Sequence, residues 1–228
     1  DNSIYREDIK YVAGLELPWE KLDNKSILIT GASGLIGSFL IDVLMEKNLQ
    51  GLDCKVYALG RNLDKARNRF ERYWTSPLFE FVSHDINEPL ELDNENQVDF
   101  VVHLASNTHP VAYATDPIGT VTANIIGTNN LLKFAVKHHA VRFAFASSNE
   151  IYGENRGDVE FFDETYCGYI DSNTLRAGYP ESKRCGEALC QAYKKQENLD
   201  VVIPRFTRSY GPTMLKTDTK AISQFIKK

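Results

Sequence analysis

The sequence has little of what membrane, secreted and metal-binding proteins need. Only four of its 228 residues are cysteine, and Cys54, Cys167, Cys185 and Cys190 show no CxxC spacing, which argues against a zinc site or a disulfide scaffold. No apolar run approaches the roughly 20 residues that cross a bilayer, and the polar stretch 1–10 does not resemble a signal peptide. We therefore expect reduced thiols, no metal, no membrane partner and a cytoplasmic location.

An excess of positive charge is also missing. Lys and Arg total 26 against 31 Asp and Glu, a formal net charge of −5, so there is no basic surplus to neutralise a nucleic-acid backbone. Hydrophobic residues make up 43% and charged residues 25%, which are the proportions of an ordinary globular chain and not of a disordered one. We expect one α/β core and no nucleic-acid partner.

Short β-branched runs alternate with longer amphipathic stretches from residue 26 onward. This alternation is typical of a parallel sheet with helices on both faces, and it predicts an α/β protein with a doubly wound, Rossmann-type sheet. The predicted strands are 27–30, 55–59, 80–83, 100–104, 143–147 and 201–204. The predicted helices are 35–47, 63–73, 120–138 and 179–198.

A glycine-rich turn joins the first predicted strand to the first helix. Gly31, Gly34 and Gly37 form the pattern GxxGxxG, and the helix begins at Leu35 and Ile36. Glycine lets the backbone turn sharply and approach a pyrophosphate, and the N–H groups of a helix N-terminus attract the anion. The alternative is a βα turn without a ligand, but its position after the first strand favours a dinucleotide site.

The ends of the second and third predicted strands bear on which dinucleotide binds. An acidic residue after the second strand favours NAD, whereas this sequence has Arg61, which can pair with the 2′-phosphate of NADP. The alternative is an ordinary exposed arginine. Asp85 and Ile86 follow the third strand and can enclose an adenine, unless Asp85 only forms a turn. NAD and NADP both stay open.

Tyr179 and Lys183 lie four residues apart at the start of a predicted helix, so both project from one face. A neighbouring ammonium stabilises a phenolate and lowers the pKa of the tyrosine, and Lys183 can also hold the nicotinamide ribose. Ser147 and Ser148 end an apolar strand at the edge where such folds bind ligands. Ser148 is predicted to bond a substrate hydroxyl, and Ser147 to satisfy the strand end. A solvent-exposed helix is the alternative for the YxxxK spacing alone.

Six ordered motifs together resemble the extended short-chain dehydrogenase/reductases, specifically the NAD-dependent epimerase/dehydratase family of nucleotide-sugar enzymes. The motifs are 30–37, 103–106, 124–128, 148–153, 179–183 and 205–212. The resemblance implies a catalytic set of Ser148, Tyr179 and Lys183. It implies a pyrophosphate turn at Gly31, Gly34 and Gly37, and a path from adenosine to nicotinamide along Leu104, Ala105 and Ser106. It also implies that Asn124 supports the site, and that a homodimer forms through helices 120–138 and 179–198.

The resemblance also bears on the reaction. Family enzymes oxidise the sugar at C4 and then epimerise, dehydrate or decarboxylate it. Dehydratases carry Asp-Glu after the catalytic hydroxyl and UDP-glucuronate decarboxylases carry Ser-Glu, whereas this chain has Asn149 and Glu150. Because Asn cannot donate a proton as an acid, Glu150 is the candidate acid/base, and a decarboxylase-like or dTDP-glucose 4,6-dehydratase-like reaction is favoured over 4-epimerisation. A surface carboxylate is the alternative for Glu150.

Further residues are candidates for binding the nucleotide sugar. Arg208 stands where family members commonly have Asn, and it can clamp a pyrophosphate or a sugar carboxylate. Thr108 and Asn149 are candidates for the sugar pocket, and His109 is either a pocket or a loop residue. Two other functions stay open: an NADP-dependent reductase of a sugar or ketone, suggested by Arg61, and a non-catalytic dinucleotide-binding module.

The motifs suggest three segments. Residues 1–25 lack clear periodicity and are expected to form an arm packed on the domain, or a short helix. Residues 26–212 are the predicted NAD(P)-binding Rossmann domain with the catalytic residues. Residues 213–228 are expected to begin a small C-terminal substrate lobe that is truncated, because a helical pattern starts at 221 without a stop signal.

Overall fold

The computed structural model describes residues 2–92, 97–108, 110–211, 213–214 and 221–226. These residues belong to two compact units. The first unit comprises Asp1–Ser83 and Arg208–Lys228, and the second comprises His84–Thr207.

The first unit contains a βαβαβ arrangement. Its elements are α1 (Ser3–Ala13), β1 (Lys25–Thr30), α2 (Leu35–Leu49), β2 (Cys54–Gly60), α3 (Leu63–Phe70) and β3 (Phe79–Ser83). The strands are parallel with β2 in the middle, since Val56 lies opposite both Ile27 of β1 and Phe79 of β3. Five of the six β1 residues are buried, as expected of a parallel strand covered on both faces.

The segment predicted as an arm or a short helix begins with α1. The Asn2 side chain caps this helix by accepting hydrogen bonds from the N–H groups of its first turn. Ile9 and Ala13 are buried against Val43 of α2. Helix α1 is therefore held on the unit by an apolar contact.

A buried carboxylate of α2 links α1, α2 and α3. The Asp42 side chain accepts hydrogen bonds from Tyr5 of α1, from Arg69 of α3, and from Arg72 and Tyr73 beyond α3, the last two at 2.9 Å. Burial alone would raise the pKa of this carboxyl, but the hydrogen bonds from Arg69 and Tyr5 lower it below its ordinary value. The network satisfies a charge that would otherwise be costly to bury.

The second unit contains a parallel three-stranded ladder and a separate two-stranded one. Its elements are β4 (Phe100–His103), α4 (Pro110–Thr115), α5 (Pro117–Thr122), a π turn (Ala123–Gly127), α6 (Thr128–Lys137), β5 (Arg142–Phe145), β6 (Ser147–Ser148), α7 (Gly178–Gln196), β7 (Val201–Val202) and β8 (Arg205–Phe206). Strand β5 lies between β4 and β7, and β6 pairs with β8. The last described helix, α8 (Ala221–Ile226), belongs to the first unit.

Two predicted elements differ from the structure in detail. The predicted strand 143–147 ends at Phe145, and the two serines that follow pair with Arg205 and Phe206 instead. The predicted helix 120–138 starts earlier, at Pro117, because Asp116 caps it by accepting the N–H of Gly119 at 3.0 Å. This helix is also interrupted by the π turn.

Several general features of the described residues bear on the predictions. The four cysteines are free thiols, of which Cys54 and Cys190 are buried. No group of three or more metal-ligating side chains is arranged for a metal ion within the described ranges. None of the helices in those ranges has both the length and the apolar character that crossing a membrane requires.

Candidate active site

The glycine turn of the first unit has a geometry that other residues cannot reproduce. Gly31 has a φ of 67°, in the left-handed region that favours glycine. A Cβ at Gly37 would lie 2.5 Å from the Gly31 carbonyl oxygen, so the start of α2 packs directly on the turn. Gly34 is the N-cap of α2 and carries no side chain to occupy the first-turn N–H groups at Leu35 and Ile36. This backbone cradle fits an anionic group such as a pyrophosphate.

The two arginines proposed to bind anions also lie in the first unit, and both are exposed. Arg61 directly follows β2 and precedes Asn62, which caps α3 by accepting the N–H of Lys65 at 2.8 Å. Arg208 lies beyond β8. Exposure is compatible with binding a phosphate and equally with an ordinary surface arginine, so both assignments stay predictions.

The residues predicted to enclose the adenine belong to the second unit. The Asp85 carboxylate accepts the N–H of Asn87 at 3.0 Å, which is the turn-forming role. Ile86 is buried, and a Cβ on Gly127 would lie 2.6 Å from its Cδ1 atom. The adenine contact of both residues stays a prediction.

Tyr179 and Ser148 are brought together. Tyr179 lies in the first turn of α7 and is 6% exposed, and its hydroxyl is hydrogen-bonded to the hydroxyls of Ser148 and Tyr113. Burial raises the pKa of Tyr179, and the negative charge of Glu150 raises it further. The hydrogen bonds and the positive charge of Arg176 only partly offset these effects. The phenol is therefore buried, oriented and surrounded by groups of opposing charge.

Lys183 lies one helical turn beyond Tyr179 and is also buried. Its Nζ donates to the Ala146 carbonyl at 2.8 Å, and it lies 5.9 Å from the centroid of the Tyr179 ring. Burial lowers the pKa of Lys183 to about 7. The expected net lowering of the Tyr179 pKa is wrong for this structure, because burial of the phenol outweighs the favourable groups around it.

The two serines after β5 have different partners. The Ser147 hydroxyl donates to Glu187 at 2.5 Å, and Glu187 in turn pairs with Arg205 at 2.8 Å. Ser148 is bonded to Tyr179, and its Oγ atom also accepts the N–H of Glu150 at 3.2 Å. Ser147 therefore serves the packing of α7 on β8, while Ser148 faces the phenol.

Asn124 connects β4 to the helix that carries Tyr179. Its side chain is fully buried in the π turn, where it accepts a hydrogen bond from Ser106 at 2.7 Å and donates to Ser182 of α7 at 2.9 Å. Ser182 lies between Tyr179 and Lys183 in the sequence, so this bridge holds in place the turn of α7 that carries both residues.

The remaining candidates of the second unit are more accessible. Leu104 and Ala105 are partly buried after β4, while Thr108 and Asn149 are exposed. His109 lies outside the described residues. Glu150 is half-buried, and its carboxylate accepts a hydrogen bond from Arg176 at 2.7 Å. The positions of these residues do not show whether they contact a ligand, so their binding roles stay predictions.

Two residues at this site carry no motif and were missed by the sequence analysis. Tyr113 of α4 stacks on Tyr179, with 4.8 Å between ring centroids and 21° between planes. Arg176 lies 5.4 Å from the centroid of Tyr113 while it holds Glu150. The one available signal was the position of Arg176, three residues before Tyr179, which is a helical spacing.

The fold is of the Rossmann type, and the candidate site groups a buried tyrosine, serine and lysine. The chain belongs to the NAD dependent epimerase/dehydratase family, whose sequence model matches residues 27–228. It is 38% identical over 205 residues to UDP-glucuronic acid decarboxylase 1 of Xenopus tropicalis, which covers 90% of this chain and 46% of that protein. It is 34% identical over 205 residues to UDP-glucuronic acid decarboxylase 6 of Arabidopsis thaliana, covering 89% of this chain and 56% of that protein. The chain thus spans about half the length of the curated relatives it matches.

Solved structures give the same family. A dTDP-glucose 4,6-dehydratase double mutant from Streptomyces venezuelae with NAD and DAU bound matches with a TM-score of 0.73 and 27% identity, covering 88% of this chain and 61% of that one. UDP-glucuronic acid 4-epimerase from Bacillus cereus, in complex with UDP-glucuronic acid and NAD, matches with a TM-score of 0.67 and 27% identity, covering 84% and 59%. The predicted family and the predicted Rossmann-type fold are confirmed.

Proposed function

We propose that this chain carries the catalytic residues of an NAD-dependent enzyme that modifies a nucleotide sugar, and that decarboxylation of UDP-glucuronate is the reaction it supports best. The observation that carries the proposal is the grouping around Tyr179, whose hydroxyl is bonded to Ser148 and influenced by the charge of Glu150, with Lys183 one turn away. The curated relatives at 32–38% identity are named UDP-glucuronic acid decarboxylases, which supports this reaction over dehydration and epimerisation.

The glycine turn is the proposed site of the cofactor pyrophosphate. The backbone at Gly31, Gly34, Leu35, Ile36 and Gly37 would hold it through N–H groups of the turn and of the first turn of α2, and no side chain at Gly31 or Gly37 obstructs the approach. The chemistry that bound NAD would supply there is reversible uptake of the hydride from C4 of the sugar. NAD is favoured over NADP because several of the matching structures hold NAD.

The protein groups would divide the proton chemistry between them. Ser148 would bond the C4 hydroxyl of the sugar while Tyr179 removes its proton, and Lys183 in its protonated form would favour the phenolate. The resulting C4 ketone makes the glucuronate a β-keto acid. Its C5–carboxyl bond can then break, with the electron pair passing to the ketone oxygen. The Glu150 carboxylate would pass to C5 a proton that it takes up from solvent, and Tyr179 would then return its proton to the C4 oxygen.

The test of this function uses full-length protein and a panel of UDP-, dTDP-, CDP- and GDP-sugars, with products analysed by mass spectrometry. We expect loss of carbon dioxide from UDP-glucuronate. Loss of water from another sugar would support a dehydratase instead, and an unchanged mass with altered chromatographic mobility would support an epimerase. Tyr179→Phe should abolish turnover, while Tyr193→Phe, on the same helix but bonded to Asn129 at 2.9 Å, should retain it.

A second candidate function is an NADP-dependent reductase of a sugar or ketone, favoured by the exposed Arg61 at the end of β2. A net reductase must consume NADPH in proportion to product, whereas the proposed cycle regenerates its cofactor. Stoichiometric loss of NADPH absorbance would therefore overturn the decarboxylase proposal. If neither turnover nor cofactor consumption is found, the non-catalytic dinucleotide-binding module becomes the better account.

A homodimer through the helical segment 117–137 and α7 is part of the proposal. Ile118 and Ile126 on the first segment are 77% and 45% exposed, and exposed apolar side chains on paired helices support self-association. Light scattering of the full-length protein should give twice the protomer mass, and a monomer at high concentration would contradict it. The cytoplasmic location is supported by the four free thiols.

A further inference from the structure

Arg176 contacts two groups that both face the proposed base. It lies in the short turn Leu175–Ala177 directly before α7. Its guanidinium donates to the Glu150 carboxylate at 2.7 Å and lies 5.4 Å from the centroid of the Tyr113 ring. Tyr113 in turn stacks on Tyr179 at 4.8 Å and hydrogen-bonds its hydroxyl. Arg176 is therefore linked to Tyr179 through both of its partners.

The polar groups around Tyr179 come from five places in the second unit. They are Ser148 of β6, Glu150 of the turn that follows it, Tyr113 of α4, Arg176 before α7, and Lys183 within α7. Among these five groups, the carboxylate of Glu150 is the negative one, and it opposes ionisation of the phenol. The positive charge of Arg176 acts in the other direction and lies directly on that carboxylate.

We propose that Arg176 is a positioning residue: its guanidinium fixes the Glu150 carboxylate and offsets its charge, so that Tyr179 can lose its proton beside that carboxylate. The inference rests on the proposed function, since it assigns Tyr179 as the base and Glu150 as a second working group. The proposed role of Arg176 explains how a buried phenol can lose its proton at a site that also holds a carboxylate.

The competing explanation is an ordinary surface ion pair, because the Arg176 side chain is 60% exposed and such pairs contribute little to stability. The chain contains a matched control for this explanation. Arg156 pairs with Asp158 at 2.8 Å and lies 5.3 Å from the centroid of Tyr166, with its side chain 57% exposed. It has the same type of contacts as Arg176 but is not among the groups that act on Tyr179.

The direct test follows ionisation of Tyr179 itself. Full-length protein is labelled with 3-fluorotyrosine, the Tyr179 signal is identified in the ¹⁹F NMR spectrum through the Tyr179→Phe variant, and the label is titrated with alkali. In Arg176→Gln the ionised fraction at a fixed pH on the rising limb should fall about threefold, as expected for loss of one partly screened charge several ångströms away. Arg176→Lys should largely restore it, and Arg156→Gln should leave it unchanged.

Glu150→Gln gives an independent result that does not depend on how well the Arg176 variants fold. Removal of the negative charge should raise the ionised fraction of Tyr179 at the same pH, and the double variant Arg176→Gln/Glu150→Gln should return close to wild type. The inference is overturned if Arg176→Gln titrates like wild type, or if Arg156→Gln shifts the Tyr179 signal equally. Because the titration needs no turnover, its result is independent of the product analysis. If the expected product is not found, the proposed function fails, but the effect of Arg176 on the ionisation of Tyr179 is still measured by the titration.

Discussion

Replacing the buried lysine of α7 should change how stability depends on pH. Lys183 is 2% exposed, and burial lowers its pKa from an ordinary value of 10.5 to about 7. Between those two values the unfolded chain binds a proton at this amine and the folded chain does not. Stability contributed by this group therefore rises with pH across the window from about 7 to 10.5, and it is reduced below that window.

The size of the effect follows from the same two pKa values. Between pH 7 and pH 9, linkage predicts that this one amine adds about 2 kcal/mol to the free energy of unfolding. Lys183→Met keeps most of the length of the side chain but has no proton to bind. The stability of the variant relative to wild type should therefore fall by about 2 kcal/mol over that interval, whatever the offset between the two proteins at pH 7.

Urea denaturation followed by tryptophan fluorescence at pH 7, 8 and 9 measures this difference. Other titrating groups are common to both proteins, so they cancel in the comparison. Lys195→Met, which removes an exposed lysine of the same helix, should run parallel to wild type. If Lys183→Met also runs parallel to wild type, the lysine is charged in the folded protein throughout, and the reasoning from its burial is refuted.

Three further perturbations test other parts of the structure. Gly37→Ala should weaken NAD binding in calorimetric titration. It should also lower stability by about 1 kcal/mol, because overpacking of about 1–3 kcal/mol exceeds the gain in helix propensity. Gly60→Ala should have neither effect, because its Cβ would meet only aromatic carbons at 3.5 Å. Ser148→Ala should slow turnover roughly tenfold to a hundredfold, which is the cost of one hydrogen bond to a charged group. Ser147→Ala should lower the melting temperature and largely keep the rate. The reverse pattern would contradict the assignment of Ser148 to the substrate and of Ser147 to packing. Asp42→Ala should destabilise the protein by about 2–4 kcal/mol in urea denaturation, since it leaves two partly exposed guanidinium groups without their carboxylate. A near-neutral effect would show that the hydrogen-bond network around Asp42 is only a surface feature.

The sheet was largely predictable because parallel strands buried on both faces read as continuous apolar runs. All six predicted strands are present, with ends that coincide or differ by one or two residues. The break after Phe145 was not predictable, because Ser147 and Ser148 leave the run to pair with β8, almost sixty residues later. The π turn at Ala123–Gly127 also left no signal, since a single extra residue hardly disturbs helical periodicity.

The chemistry of the site was predictable where it depends on local spacing. Tyr179 and Lys183 lie on one helix, so their separation of one turn follows from the sequence alone. The approach of Tyr113 and Arg176 depends on how α4 and the loop before α7 fold back, which no periodicity encodes. The same holds for Asp42, whose partners lie 27 to 37 residues away in the chain, and for the direction of the Tyr179 pKa shift, which is set by burial.

The central claim, that Tyr179 serves a reversible oxidation at C4 of UDP-glucuronate, is tested most directly with substrate deuterated at C4. Full-length protein with bound NAD should give a product that has lost carbon dioxide and kept the deuterium, since the hydride is removed and returned at the same carbon, and Tyr179→Phe should leave the substrate unchanged. A decarboxylated product without deuterium, or normal turnover by Tyr179→Phe, would contradict the account.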